Sequence, residues 1–158
     1  MTRIGVLSDT HLRGYDPALA QRLAGPFAGV DMILHAGDLV NIRVLEALDA
    51  PVIIAVAGNM DDYTVTHDLP VKRVVDVEGK RIGLIHGWGP PVGLAARISG
   101  EFANVDCIVF GHSHRPMNAR RDGVLFFNPG SVGRGLIGSG SVGIITVDQQ
   151  IRGEIVKL

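Results

Sequence analysis

Cysteine is almost absent from this 158-residue chain, and the one present, Cys107, excludes an internal disulfide framework and fits a reducing compartment. It lies in the apolar run Asp106-Cys107-Ile108-Val109-Phe110, which marks it as a packing thiol rather than a reactive one. Long apolar runs are missing too. None approaches the roughly 20 residues that span a bilayer, and Met1-Thr2-Arg3 leads to Asp9 without the apolar region of a signal peptide. A soluble cytoplasmic protein without membrane association is expected. There is no surplus charge of one sign: Lys+Arg 15 against Asp+Glu 16 gives a net charge of -1, so nothing calls for a nucleic-acid polymer as partner. With no repeat and no linker, 1–158 reads as one domain, and 46% hydrophobic with 20% charged residues is ordinary globular composition.

Glycine is plentiful instead, at 21 residues, several of them beside polar residues at the ends of apolar runs. Ile4–Leu7, Met32–Leu34 and Val52–Val56 read as buried strands. Between them fall a helix at Asp16–Ala24, with Asp16 as N-cap and Pro17 at its first position, and a short helix at Ile42–Leu48. This order predicts parallel strands with right-handed crossovers. The second half reads as hairpins. Val71–Val77 and Arg81–Ile85 flank Glu78-Gly79-Lys80, and Met117–Arg120 and Val124–Phe127 flank Asp122-Gly123. Val142–Val147 and Ile151–Val156 form a last pair, with a helix at Pro91–Phe102 and a strand at Cys107–Phe110 in between. The glycine-rich stretch 133–143 reads as a loop between core strands. The expected class is α/β: two packed mixed β-sheets with helices on the outer faces.

Five polar clusters fall at or just after predicted strand ends: Asp9-Thr10-His11, Gly37-Asp38, Gly58-Asn59-Met60-Asp61, His86-Gly87 and Gly111-His112-Ser113-His114. In open α/β sheets, ligands bind beyond the carboxyl ends of strands. Most of these clusters mean little alone, since Asp-x-His and Gly-Asp are mostly turns and a lone strand-end histidine is mostly hydrogen-bonded; Gly111-His112-Ser113-His114 is more specific, because two histidines on a glycine hinge have little structural reason to exist. Together they supply Asp9, His11, Asp38, Asn59, His86, His112 and His114: oxygen and nitrogen donors without thiolate. That set suits Mn²⁺, Fe²⁺, Zn²⁺, Co²⁺ or Ni²⁺. Seven donors exceed the needs of one open ion and fit two ions sharing a carboxylate, about 3.5–4 Å apart as in hydrolytic two-metal sites.

This ordered set, from Ile4-Gly5-Val6-Leu7-Ser8-Asp9 to Asn128-Pro129-Gly130-Ser131, resembles the calcineurin-like metallophosphoesterase superfamily, and within it the small prokaryotic phosphodiesterases. The resemblance implies a dinuclear site with two divalent ions, Mn²⁺ first. Asp9, His11, Asp38 and His114 would hold one ion. Asp38, Asn59, His86 and His112 would hold the other, with Asp38 bridging. It also implies that Asp9, Asp38, Asn59, His86 and His112 are catalytic, and that a metal-bridging hydroxide attacks phosphorus in a small phosphodiester or nucleotide-like substrate.

Two positions depart from the family pattern. Many members carry His where this chain has Met60, which transfers no proton, so monoesterase activity is not expected. Relatives often read His-Gly-His where this chain has His86-Gly87-Trp88, and Trp88 either shapes the pocket, stacks on a base, or packs. His35 either hydrogen-bonds a ligand or caps a strand, and His67 reads as exposed in an acidic loop. Asn128 and Ser131 either line the site or only form a turn, Arg134 is a candidate phosphate contact, and Arg115 faces solvent or a partner. A homo-oligomer is left open. The rival reading is a protein-binding scaffold of the same fold: the retromer scaffold subunit resembles this group, has lost some ligands and serves mainly in assembly. Every implied ligand is present here, which favours an enzyme.

Overall fold

The computed structural model describes residues 1–133 and 139–158. Among them the chain forms β1 (Thr2–Leu7), α1 (Pro17–Ala24), β2 (Met32–His35), a 3₁₀ helix (Ile42–Ala47), β3 (Val52–Ala55), α2 (Tyr63–Asp68), β4 (Lys72–Val77) and β5 (Lys80–Ile85). Then follow α3 (Leu94–Ser99), β6 (Cys107–Val109), β7 (Met117–Arg121), β8 (Val124–Asn128), β9 (Ser141–Val147) and β10 (Ile151–Lys157). Two five-stranded mixed sheets result, ordered β10-β9-β1-β2-β3 and β4-β5-β6-β8-β7. β1, β2 and β3 run parallel in the first, and β5, β6 and β8 run parallel in the second.

Alternation along the strands builds three apolar layers. Ile4 and Val6 of β1 face inward with Leu34, Leu84, Val109, Phe127 and Ile145, and Cys107 is buried in this middle layer, where burial pushes its thiol pKa up and keeps it protonated. Leu7, Ile33 and Ile144 turn outward beneath α1, whose Leu19 and Leu23 are buried against them. On the far side, Ile85, Ile108 and Phe126 pack beneath Leu94, Ala95 and Ile98 of α3.

Local rules explain most elements. The Asp16 side chain caps α1 by accepting from the Ala18 N–H at 2.8 Å, with Pro17 starting the helix. Glu78-Gly79 and Asp122-Gly123 both have positive φ at each residue (50° and 76°, 50° and 82°), as two-residue type I′ hairpins require. The first turn is tighter than the sequence suggests, because Lys80 already pairs with Val77.

Other expectations need correction. The segment around His67 is not a loop but α2, capped by the Asp62 side chain on the Thr64 N–H. Its sequence, Tyr-Thr-Val-Thr-His-Asp, is rich in β-branched residues and buries only Val65, so neither propensity nor an apolar stripe announces a helix. α3 is shorter than Pro91–Phe102, since Gly93 sits left-handed at its start and Gly100 ends it. The 133–143 stretch is not all loop: Ser141, Val142 and Gly143 belong to β9, where Gly143 pairs with Val6 and Ile155. A Cβ on Gly143 would lie 2.3 Å from the Phe127 ring, so glycine there lets the two sheets close over that ring. The C-terminal pair of strands, which the sequence left unassigned to either sheet, joins β1 of the first.

Candidate metal centre

All five clusters arrive at one end of the two sheets because β1, β2, β3, β5 and β6 present the same, carboxyl, end there. Backbone hydrogen bonds continue past the strands and lace the loops together. Asp9 N–H donates to Gly37 O at 3.0 Å, His11 N–H to Asp38 O at 3.1 Å, and Gly111 N–H to His86 O at 3.1 Å. Within these loops Asp9, His11, Asp38, His112 and His114 all adopt left-handed backbone, with φ of 56°, 49°, 57°, 71° and 58°. Asp and His tolerate this region better than most residues, yet each instance costs of order 1–3 kcal/mol and survives only where the surroundings impose it.

The donor atoms converge. Asp9 Oδ1 is buried and satisfies no hydrogen-bond geometry, although Nε2 of His114, His11 and His86 stand at 3.1, 3.7 and 3.8 Å. Asp38 Oδ2 lies 3.2 Å from His86 Nε2 and 3.8 Å from His11 Nε2. Asn59 Oδ1 lies 3.1 Å from both His86 Nε2 and His112 Nδ1. The opposite ring nitrogens are already committed: His86 Nδ1–H donates to Ala36 O at 2.7 Å, and His112 Nε2–H to Gly89 O at 2.8 Å. These bonds fix each tautomer and leave the free lone pairs aimed at carbonyl and carboxylate oxygens. Acceptors gathered this closely repel one another unless ring protons or a cation lie among them. Asp9, His11 and His114 form one group with ligand geometry for an ion, and Asp9, Asp38 and His86 form another.

Electrostatics follow from the same contacts. Burial would raise the Asp9 carboxyl, but the imidazoles of His11 and His114, with His86 and the Ser8 hydroxyl, hold it well below the ordinary carboxylate range. Burial likewise opposes ionisation of Asp38, and is outweighed by His86 and the Met60 N–H. His86 is pushed down by burial yet ends more basic than usual because of Asp38 and Asp9, and Asp9 raises His114.

Two glycines make the convergence possible. A Cβ on Gly58 would stand 2.2 Å from Asp38 Oδ1, and one on Gly111 would stand 1.9 Å from Ser8 Oγ.

Several supporting residues carry no signal that sequence reasoning used. Asp61 takes three backbone N–H groups: Val40 on Oδ1 at 2.6 Å, and Gly58 and Asp38 on Oδ2 at 2.6 and 3.1 Å. It clamps the loop after β2 to the loop after β3. Ser8 donates to Asp9 Oδ2 at 2.6 Å and so leaves Oδ1 as the free oxygen. Arg97 of α3 donates from Nε to Trp88 O at 2.9 Å and from Nη2 to Pro90 O, bracketing the Gly89 carbonyl that orients His112. The only hint of Asp61 was its place in Gly58-Asn59-Met60-Asp61.

The softer candidates divide. His35 is fully buried and its ring bonds to neighbours of the seven rather than to the seven themselves. Its Nδ1 accepts from the Gly37 N–H, its Nε2–H donates to Thr10 Oγ1 at 3.1 Å, and burial drives its pKa down to about 3, so it is neutral and braces two ligand loops. Asn128 supports the Gly111–His114 loop from behind, donating to Gly111 O and Ser113 Oγ, and accepts from the Gly130 N–H. The Ser131 carbonyl accepts from the Ser141 N–H. Met60 is an exposed side chain whose backbone N–H holds Asp38 Oδ1 at 2.8 Å. His67 is bound to the adjacent Asp68 carboxylate, Arg115 is exposed, and Arg134 lies outside the described residues.

The family model for the calcineurin-like phosphoesterase superfamily domain matches residues 2–150. The chain belongs to that superfamily. It is 37% identical to a probable metallophosphoesterase of Methanocaldococcus jannaschii, over 81% of this chain and 67% of that one. It is 28% identical to a phosphodiesterase of the same organism, over 98% of both. Among solved structures, an Entamoeba histolytica Vps29 single mutant superimposes with a TM-score of 0.72 at 22% identity, covering 99% of each chain, which shows a shared fold. Among the described residues, no helix is long and apolar enough to cross a membrane.

Proposed function

We propose that this calcineurin-like phosphoesterase is a phosphodiesterase that works with two divalent ions, Mn²⁺ foremost, on a small phosphodiester or nucleotide-like substrate. The observation that carries the reading is the orphaned Asp9 Oδ1, buried amid three imidazole nitrogens at 3.1–3.8 Å. A buried carboxylate oxygen left unsatisfied is costly unless a cation takes its charge.

Asp9, His11, Asp38 and His114 would hold one ion, and Asp38, Asn59, His86 and His112 the other. Asp38 would be shared by the two, since its Oδ2 lies 3.2 Å from His86 Nε2 and 3.8 Å from His11 Nε2 while the Met60 N–H occupies Oδ1. Asp9 Oδ1 approaches both groups too, but sits nearer His114 than His86. Two bound ions would supply a water activated near neutral pH and neutralise charge developing on the phosphoryl oxygens. The chain's own part is to keep the donor set rigid and correctly turned, with the Asp9 and Asp38 carboxylates ionised. The carbonyls of Ala36 and Gly89 fix the tautomers of His86 and His112, and the laced left-handed loops hold the aspartates without further reorganisation.

Met60 offers no proton, which favours diesters with good leaving groups over alkyl monoesters. The phosphodiesterase relative points the same way. The test is a panel of phosphodiesters and monoesters with metal-free protein, with and without added Mn²⁺. Metal-dependent cleavage of diesters is expected, and a metal-loaded protein that cleaves no ester in the panel contradicts the proposal.

A further inference from the structure

A cleft of about 300 Å³ opens directly beside two of the proposed ligands, Asn59 and His86. Its walls are mostly carbon: Ala57, Leu69, Val71 and Ile85, with Trp88 at the side. Val71 is 69% exposed and Trp88 43% exposed, so large apolar surface stands open next to a polar centre. No lysine, arginine or carboxylate lines this cleft among the described residues. The Thr66 hydroxyl, which also borders it, already donates to Asp62 O.

We infer that this cleft receives one ester substituent of the substrate, and that the substituent is a flat, uncharged ring held by stacking and apolar contact. The volume is at the small end of ligand pockets and fits one ring system beside the phosphoryl group. A second phosphate is disfavoured, because it would find no cation here. A sugar is disfavoured because the polar side chains here, among the described residues, are Asn59 and His86, both proposed ligands, and Thr66, already bonded to Asp62 O. For the same reason a nucleobase would stack on Trp88 without being distinguished from other bases. The inference rests on the phosphodiesterase reading and adds what selects the substrate.

Trp88 is the chain's single tryptophan, so its fluorescence reports events at this cleft once the Mn²⁺-loaded protein sets the baseline. The probes are the monomethyl esters of phenylphosphonate and methylphosphonate, which share one charge and differ by the ring, added to the Mn²⁺-loaded protein. The phenyl probe should quench Trp88 and bind about tenfold tighter, the scale expected for burying one ring. Val71→Asp places a charge at the exposed rim without touching a proposed ligand, so metal content should stay and the preference should vanish. Equal affinity of the two probes for wild type, or a preference that survives Val71→Asp, overturns the cleft assignment and leaves the phosphodiesterase reading standing. Failure of both probes to bind, with no diester cleaved, removes both.

Discussion

Removing the Asp61 carboxylate should loosen the whole candidate centre, although this side chain is not among the seven proposed ligands. Asp61→Ala strips the acceptor from the N–H groups of Val40, Gly58 and Asp38, two of which it holds at 2.6 Å. One of them belongs to Val40, a β-branched residue held at a φ of 80°, where such side chains are strained. Hydrogen bonds to a charged group contribute about 1.5–3 kcal/mol each. Asp61 is only half-buried and burial itself raises its pKa, so desolvation and solvent access offset part of that gain. A net loss of about 2–3 kcal/mol is expected, with melting lowered by roughly 5–10 °C for a chain of this size. Metal affinity should fall about 10–100-fold, the usual consequence of losing a group that orients ligands. Asp61→Asn keeps one carbonyl oxygen and should recover part of both losses. The assay is urea unfolding of metal-free protein, checked for an unchanged slope, followed by Mn²⁺ titration. An alanine variant with wild-type midpoint and wild-type affinity would refute the clamp.

Three further outcomes are expected. Met60→His should flatten the dependence of rate on leaving-group pKa, since a positioned acid contributes about 10²–10⁴-fold; a series of aryl and alkyl esters with metal content matched reads this directly. Arg97→Ala should release the Trp88–Pro90 segment and weaken metal binding about tenfold while α3 stays folded, as metal titration and circular dichroism would show. Metal occupancy should fall as pH drops: protons compete for His86 and His114, whose imidazoles the neighbouring aspartates make more basic than usual, so loss should begin above about pH 6.5 in stepped-pH titrations.

The residues that sequence could name are those whose chemistry shows in their own type and place. Asp9, Asp38 and His86 follow apolar strands, and strand ends in parallel sheets converge whatever the rest of the chain does. That two mixed sheets pack together with helices outside was legible for the same reason, since alternating and continuous apolar runs mark which faces meet, but which strands share a sheet was not. What escaped were features made only by tertiary contact. Asp61 was visible as the end of Gly58-Asn59-Met60-Asp61, but not its role, which runs through the backbone of three residues, two of them about twenty positions upstream. Gly89 matters through its carbonyl, which every residue has, and Arg97 matters by holding that segment from α3. α2 forms because Asp62 caps it and Val65 packs beneath the first sheet, against the β-branched bias of its sequence. The C-terminal hairpin could be read as two strands, but its pairing with β1 depends on a register that no pattern in β9 specifies.

Calorimetric titration of the metal-free chain with Mn²⁺ tests the central claim most directly. Saturation at two ions per chain is expected, with Asp38→Asn weakening both and loss of His114 weakening chiefly one. Saturation of the wild type at a single ion, or an Asp38→Asn variant that still binds two with full affinity, would contradict it.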